Sequence, residues 1–147
     1  MKISDFLSPA DVTVDSYASD KGRLLRDLAT KAAVTLNLPA DHIASELLKR
    51  EELGSTGTGG GVAIPHARIQ GITKPLGVLA KLRQPIDFDA IDGQPVDLVF
   101  VLLLPATTEC GQLGTLASIA RKLGAPEALV QLRRAKNVSE LYSAMVG

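Results

Sequence analysis

The run from Pro95 to Leu104 limits the fold more than any other part of this sequence. Val96, Leu98, Val99, Phe100, Val101, Leu102, Leu103 and Leu104 leave only Asp97 polar among them. A strand with one wet face alternates apolar and polar residues, so a strand this apolar is buried on both faces. Helices must then cover both sides, as in an open α/β sheet. The run ends at Pro105, and the loop Ala106 to Gly111 leaves its C-terminal end. In open α/β sheets that edge is where sites assemble.

Elsewhere the apolar residues recur at helical spacing. Leu24, Leu25, Leu28, Ala32 and Leu36 predict a helix over about Asp20 to Leu36, capped by Ser19 or Asp20 and ended by Asn37 and Pro39. A second is expected over Ala40 to Glu52, with Ile43, Leu47 and Leu48 inward and Gly54 as its stop. A third, Gln112 to Leu123, turns Leu113, Leu116, Ile119, Ala120 and Leu123 inward. Pro126 suits the first turn of a fourth, Ala125 to Arg134. Asn137 and Glu140 have capping-box spacing for a fifth, Asn137 to Val146. Short strands are expected at Val12 to Val14, Val62 to Ile64 and Gly77 to Leu82. The rest of Met1 to Ser19 reads as an irregular lead-in, and Ala67 to Pro75 as a loop.

A second stretch carries chemistry. Gly54-Ser55-Thr56-Gly57-Thr58-Gly59-Gly60-Gly61-Val62-Ala63-Ile64-Pro65-His66 joins a glycine and hydroxyl loop to a short apolar strand and ends on a histidine behind a proline. Glycines permit positive φ and close approach to a ligand. Ser55, Thr56 and Thr58 add donors, and Pro65 fixes its own φ and holds Ile64 extended. His66 is then presented at the end of a stiff element, beside a loop able to bind an anion. An ordinary histidine, with a pKa of about 6.5, is largely neutral and nucleophilic near pH 7. The pattern suits attack of an imidazole nitrogen on phosphorus, with loop N–H groups and hydroxyls holding the phosphoryl oxygens without a metal. Two nucleotide motifs are excluded. Gly60 stands where a Walker loop needs Lys, and Val62 where a dinucleotide fingerprint begun at Gly57 needs Gly. Taken separately, the loop and the histidine fit better a surface turn followed by a structural histidine.

Taken jointly, they resemble a family. Gly54-Ser55-Thr56-Gly57 followed by Gly61-Val62-Ala63-Ile64-Pro65-His66 resembles the active-site signature of the fructose, mannitol and nitrogen-regulatory enzyme IIA family. These proteins belong to the bacterial phosphoenolpyruvate-dependent phosphotransferase system. The likeness continues in Leu48-Lys49-Arg50-Glu51-Glu52-Leu53 and in Pro85-Ile86-Asp87-Phe88-Asp89-Ala90-Ile91-Asp92-Gly93-Gln94-Pro95-Val96-Asp97-Leu98. It covers essentially the whole chain, and the downstream segment looks most like the nitrogen-regulatory branch. The resemblance implies one α/β domain over residues 1–147, a mixed central β-sheet flanked by helices on both faces. It implies a cytoplasmic phosphoryl carrier in which His66 is charged by a small histidine phosphocarrier protein and the phosphorylation state regulates downstream protein partners. Arg50, in the last turn before the loop, would reach the phosphoryl group or an acidic partner. Ser55, Thr56, Gly57 and Gln112 would bind or support the phosphoryl group. No cofactor or metal is called for.

Composition narrows the rest. Lys plus Arg and Asp plus Glu are each 16, with no basic run and no Trp, which argues against nucleic acid. Apolar residues make up 46%, which argues against disorder. Cys110 has no second cysteine to pair with, fits a reducing cytoplasm and reads as an ordinary thiol. Met1 to Asp15 lacks the apolar core of a signal peptide, and no run reaches the roughly 20 residues that span a bilayer. His42 reads as a surface or capping residue; Asp87, Asp89 and Asp92 read as a turn and a solvated acidic edge. Two other functions stay open: a IIA component of sugar uptake passing phosphoryl to a separate IIB, and a non-catalytic anion-binding module with a structural His66. Ser55 lacks the sharp-turn motif of a hydrolase nucleophile.

One position departs from the family. A second histidine usually opens the helix after the long strand and helps to bind the phosphoryl group; here that position is Gln112. A glutamine amide still donates a hydrogen bond, but it carries no positive charge and shuttles no proton. Transfer is therefore expected to be slower, or its product more stable, than with two histidines; the stronger alternative is a regulator whose transfer rate hardly matters. Gln112→His should raise the transfer rate; an unchanged rate would mean that Gln112 does not face the phosphoryl group.

Overall fold

The computed structural model describes residues 1–107 and 112–147, the side chains of Gln112 and Leu113 excepted. Two short 3-10 turns lead into β1 (Val12–Ser16), followed by α1 (Lys21–Leu36), α2 (Ala40–Glu52), β2 (Gly57–Gly59), β3 (Val62–Ala63), β4 (His66–Ile69), β5 (Leu76–Ile86) and β6 (Val96–Pro105). Three helices close the chain: α3 (Gln112–Gly124), α4 (Pro126–Arg134) and α5 (Val138–Val146).

The strands form one mixed sheet in the order β1-β5-β6-β3-β2, with β4 also on β6. β5 and β6 are antiparallel; β3 and β4 run parallel to β6. β6 accounts for its own composition. Val96, Val99, Val101 and Leu103 join the core beneath α1 and α2. Leu98, Phe100, Leu102 and Leu104 join a second core with residues of α3, α4 and α5. From Leu98 to Leu104 alternate side chains thus enter two dry layers, and that stretch has no polar face.

Local signals set the helix ends. The Asp20 carboxylate accepts the Arg23 N–H at 2.8 Å and caps α1, and Asn37 ends it at φ 54. Asn137 caps α5 by accepting the Glu140 N–H at 2.8 Å. The Glu140 carboxylate reaches back to the Lys136 N–H, one residue earlier than a capping box would place it. On α3, Ile119 and Leu123 are buried as expected, whereas Ala120 is exposed.

Two strands lie where the sequence predicts loop. β4 occupies the start of Ala67 to Pro75, and β2 occupies the glycine loop. Each has a single β-branched residue, Ile69 in β4 and Thr58 in β2, too little to mark a strand locally; both form because β6 and β3 offer them backbone partners. β5 also runs past Leu82 to Ile86, and its register on β6 shifts between Lys81 and Ile86, the segment that holds Pro85. Cys110 lies outside the described residues.

Asp92 secures the glycine loop. Its carboxylate accepts the N–H groups of Gly60 at 3.0 Å and Gln94 at 3.1 Å. These bonds, with Gly60 the larger, hold its pKa below the ordinary 3.8. A lowered folded value means that the stabilisation is present above pH 3.8 and is lost as pH falls through the folded value. The stability gap between wild type and Asp92→Asn, read by urea denaturation, should therefore close as pH is lowered from 6 to below about 3.8. Gly77 is needed for space: a Cβ there would lie 2.5 Å from Cζ of the buried Phe100. Gly77→Ala should cost roughly 1–3 kcal/mol in the same measurement, as overpacked cores do.

Candidate active site

The approach to His66 is built by β3 and β4, which behave as one strand interrupted at Pro65. Val62 pairs with Leu98 and His66 with Leu102, the same offset of 36 residues on either side of the break. Proline has no N–H for the ladder, so the pairing lapses there while the register is kept. The carbonyls of Gly61 and Pro65 accept from Leu98 at 3.1 Å and Leu102 at 2.9 Å. Odd-numbered residues thus face β6, and Ile64 faces the opposite edge. There its N–H donates to the Thr56 carbonyl at 3.0 Å. Its own carbonyl lies 2.9 Å from Nδ1 of His66.

That last contact fixes the ring. A carbonyl oxygen can only accept, so Nδ1 carries the proton, and in the neutral ring Nε2 keeps the lone pair. Among the described residues Nε2 has no hydrogen-bond partner. His66 is half-buried and lines a cleft of about 450 Å³ together with Arg50, Leu53, Arg68, Leu104 and Leu116. The floor is apolar, Leu53 stands 85% exposed at the rim, and two guanidinium groups share the wall. Arg50, in the last turn of α2, donates from Nη1 to the Gly54 carbonyl at 2.9 Å. That bond occupies one of its five N–H donors.

Groups of the glycine loop are bonded within the protein. Ser55 Oγ donates to the Phe88 carbonyl at 2.8 Å and accepts the Gly57 N–H at 3.0 Å. The Thr56 N–H and hydroxyl both go to the buried carboxylate of Glu51. Gly60 donates to Asp92, and Arg133 binds the Gly60 carbonyl at 2.6 Å. The N–H groups of Thr56, Gly57 and Gly60 thus have partners inside the protein, and Ser55, Thr56 and Gly57 are absent from the described wall of the His66 cleft. Gly57 is glycine for space, because a Cβ would lie 2.8 Å from that of Ala90. These contacts brace the strand that presents His66.

The remaining candidates separate clearly. Gln112 opens α3, and its side chain lies outside the described residues. His42 is half-buried in the first turn of α2 and is not part of the cleft wall. Asp87 and Asp92 accept backbone N–H groups of their own turn. Lys21 and Glu51, paired at 2.7 Å, were not singled out from sequence. The available signal was a carboxylate in the last turn of a helix, where the dipole opposes it.

Comparison with known proteins gives these residues a context. Residues 5–146 match the family model for the phosphoenolpyruvate-dependent sugar phosphotransferase system, EIIA 2. A nitrogen regulatory protein of Bradyrhizobium diazoefficiens is 39% identical over 145 residues, covering 99% of this chain and 95% of that protein. One from Escherichia coli is 42% identical over 127 residues, covering 86% and 78%. The crystal structure of the nitrogen regulatory protein IIA-Ntr from Neisseria meningitidis superposes with a TM-score of 0.92 at 31% identity, over 97% of this chain and 98% of that one. With the His66 cleft at the sheet edge and the family model spanning nearly every residue, the chain belongs to the EIIA 2 family of the phosphoenolpyruvate-dependent phosphotransferase system.

Proposed function

We propose that this protein is a phosphoryl carrier and regulator of the nitrogen branch of the phosphotransferase system, charged on Nε2 of His66. The observation that carries the reading is the Nδ1 contact with the Ile64 carbonyl, in a ring that lines the same cleft as Arg50. The donor is a histidine phosphocarrier protein. Its P–N bond breaks as the Nε2 lone pair forms a new one, and the donor imidazole keeps the electron pair of the broken bond. Nδ1 retains its proton, so the phosphorylated ring is cationic while the Ile64 carbonyl stabilises it. A cationic ring is a good leaving group, which suits a protein that must pass the group on. Arg50 offsets charge on the equatorial oxygens. Ser55, Thr56 and Gly57 support the site by fixing the loop, and Gln112 adds a neutral donor from the start of α3.

The apolar cleft floor and the exposed Leu53 suit docking of a protein surface against His66. The names of the relatives and the match to the nitrogen-regulatory structure support regulation by phosphorylation state. With a phosphocarrier as donor the reaction is cytoplasmic, and no helix among the described residues is long and apolar enough to cross a membrane.

The test is incubation with phosphoenolpyruvate, enzyme I and the phosphocarrier, read by intact mass. Wild type should gain one acid-labile phosphoryl group and His66→Ala none. Arg50→Ala should be charged roughly 10²-fold more slowly, the usual loss when one donor to a developing charge is removed. An unmodified wild type would instead make His66 a structural residue of a binding module.

A further inference from the structure

Glu51 breaks a local rule. It lies in the last turn of α2, where the negative end of the helix disfavours a carboxylate, and it is buried. A buried charge persists only when paired and hydrogen-bonded. Lys21 Nζ supplies the pairing at 2.7 Å, and is itself placed by the Phe88 carbonyl at 3.2 Å and by the Phe88 ring, 4.7 Å from its centroid. The hydrogen bonds come from Thr56: its N–H lies 3.2 Å from both carboxylate oxygens, and its hydroxyl binds one of them.

The geometry points to Glu51 as a positioning residue for His66, acting through Thr56 and Ile64. With its donors held by the carboxylate, Thr56 turns its carbonyl to the Ile64 N–H at 3.0 Å. Ile64, held on that side, turns its own carbonyl to Nδ1 of His66 at 2.9 Å. A fixed buried charge therefore sets one residue, that residue sets the next, and the second sets the tautomer of the imidazole. Glu51 touches none of the reacting atoms. Its effect is to keep the ring proton on Nδ1, so that the lone pair is on the nitrogen that must attack. If Ile64 drifts, the proton is free to occupy Nε2, and that ring cannot accept a phosphoryl group there. The inference rests on the reading of His66 as the phosphoryl acceptor.

Imidazole 15N NMR of the full-length protein tests the chain of contacts without any phosphoryl donor. At a pH where the ring is neutral, wild type should show the Nδ1–H tautomer alone, and Glu51→Gln a mixture with Nε2–H. Charging by the phosphorylated carrier should then fall roughly 10- to 100-fold at saturation in Glu51→Gln, the scale of a small misplacement, with KM unchanged. Lys21→Met is the stability control: it removes the ion pair but leaves both Thr56 donors on the carboxylate, so it should destabilise the fold and keep the tautomer. Should Glu51→Gln not fold, Thr56→Val, which keeps its N–H and loses the hydroxyl, should shift the tautomer in the same direction. A pure Nδ1–H ring in every folded variant, or an equal shift in Lys21→Met, would overturn the assignment. A tautomer shift in the variants, beside a wild type that takes up no phosphoryl group, would sink the carrier reading and leave the positional one standing.

Discussion

Burial of β6 on both faces is the constraint on which the rest depends. With side chains committed alternately to two apolar layers, this strand cannot shift by one residue without exchanging them. Its backbone is equally committed, to β5 on one edge and to β3 and β4 on the other. Every piece that presents His66 is referred to this fixed strand: the offset of 36 is held on both sides of Pro65, and the histidine sits level with Leu102. Precision at the site thus comes from a core strand that has no polar side chain near the cleft.

Around that frame the protein uses backbone groups to set the chemistry and charged side chains to set the backbone. The Ile64 carbonyl chooses the tautomer; Glu51 and Lys21, together with Asp92 and Arg133, hold the loop that holds Ile64. Arg50 and Arg68 differ in lying in the cleft wall itself, and Arg50 is braced on the Gly54 carbonyl.

What could be read from sequence follows from the range of the interactions involved. β6 was legible because two-sided burial leaves an unbroken apolar run, and α2 was legible to the residue because its amphipathic pattern and its stops are local. Asp20 and Asn137 act as caps within three residues of themselves, so spacing alone discloses them. His66 and Arg50 emerged from a motif, and the fold brings them to one cleft. The internal partners of the loop are not legible in the sequence, for a definite reason. Glycines and hydroxyls look the same whether their donors meet a ligand or meet Glu51, Phe88 and Asp92, and those partners become neighbours only after folding. β4 escaped notice likewise, since its partner lies 36 residues away.

The hydrogen bond from His66 to Ile64 has a further consequence for solubility. The outer edge of a sheet is a template on which another copy can add a strand, and the exposed carbonyls are what it recruits. At Ile64 the N–H is spent on Thr56 and the carbonyl on the imidazole, so that position offers an incoming strand nothing to grip. A neighbouring molecule could pair there only by pulling the histidine off its anchor. The atom that fixes the ring thus also leaves this buried position with no backbone group to lend.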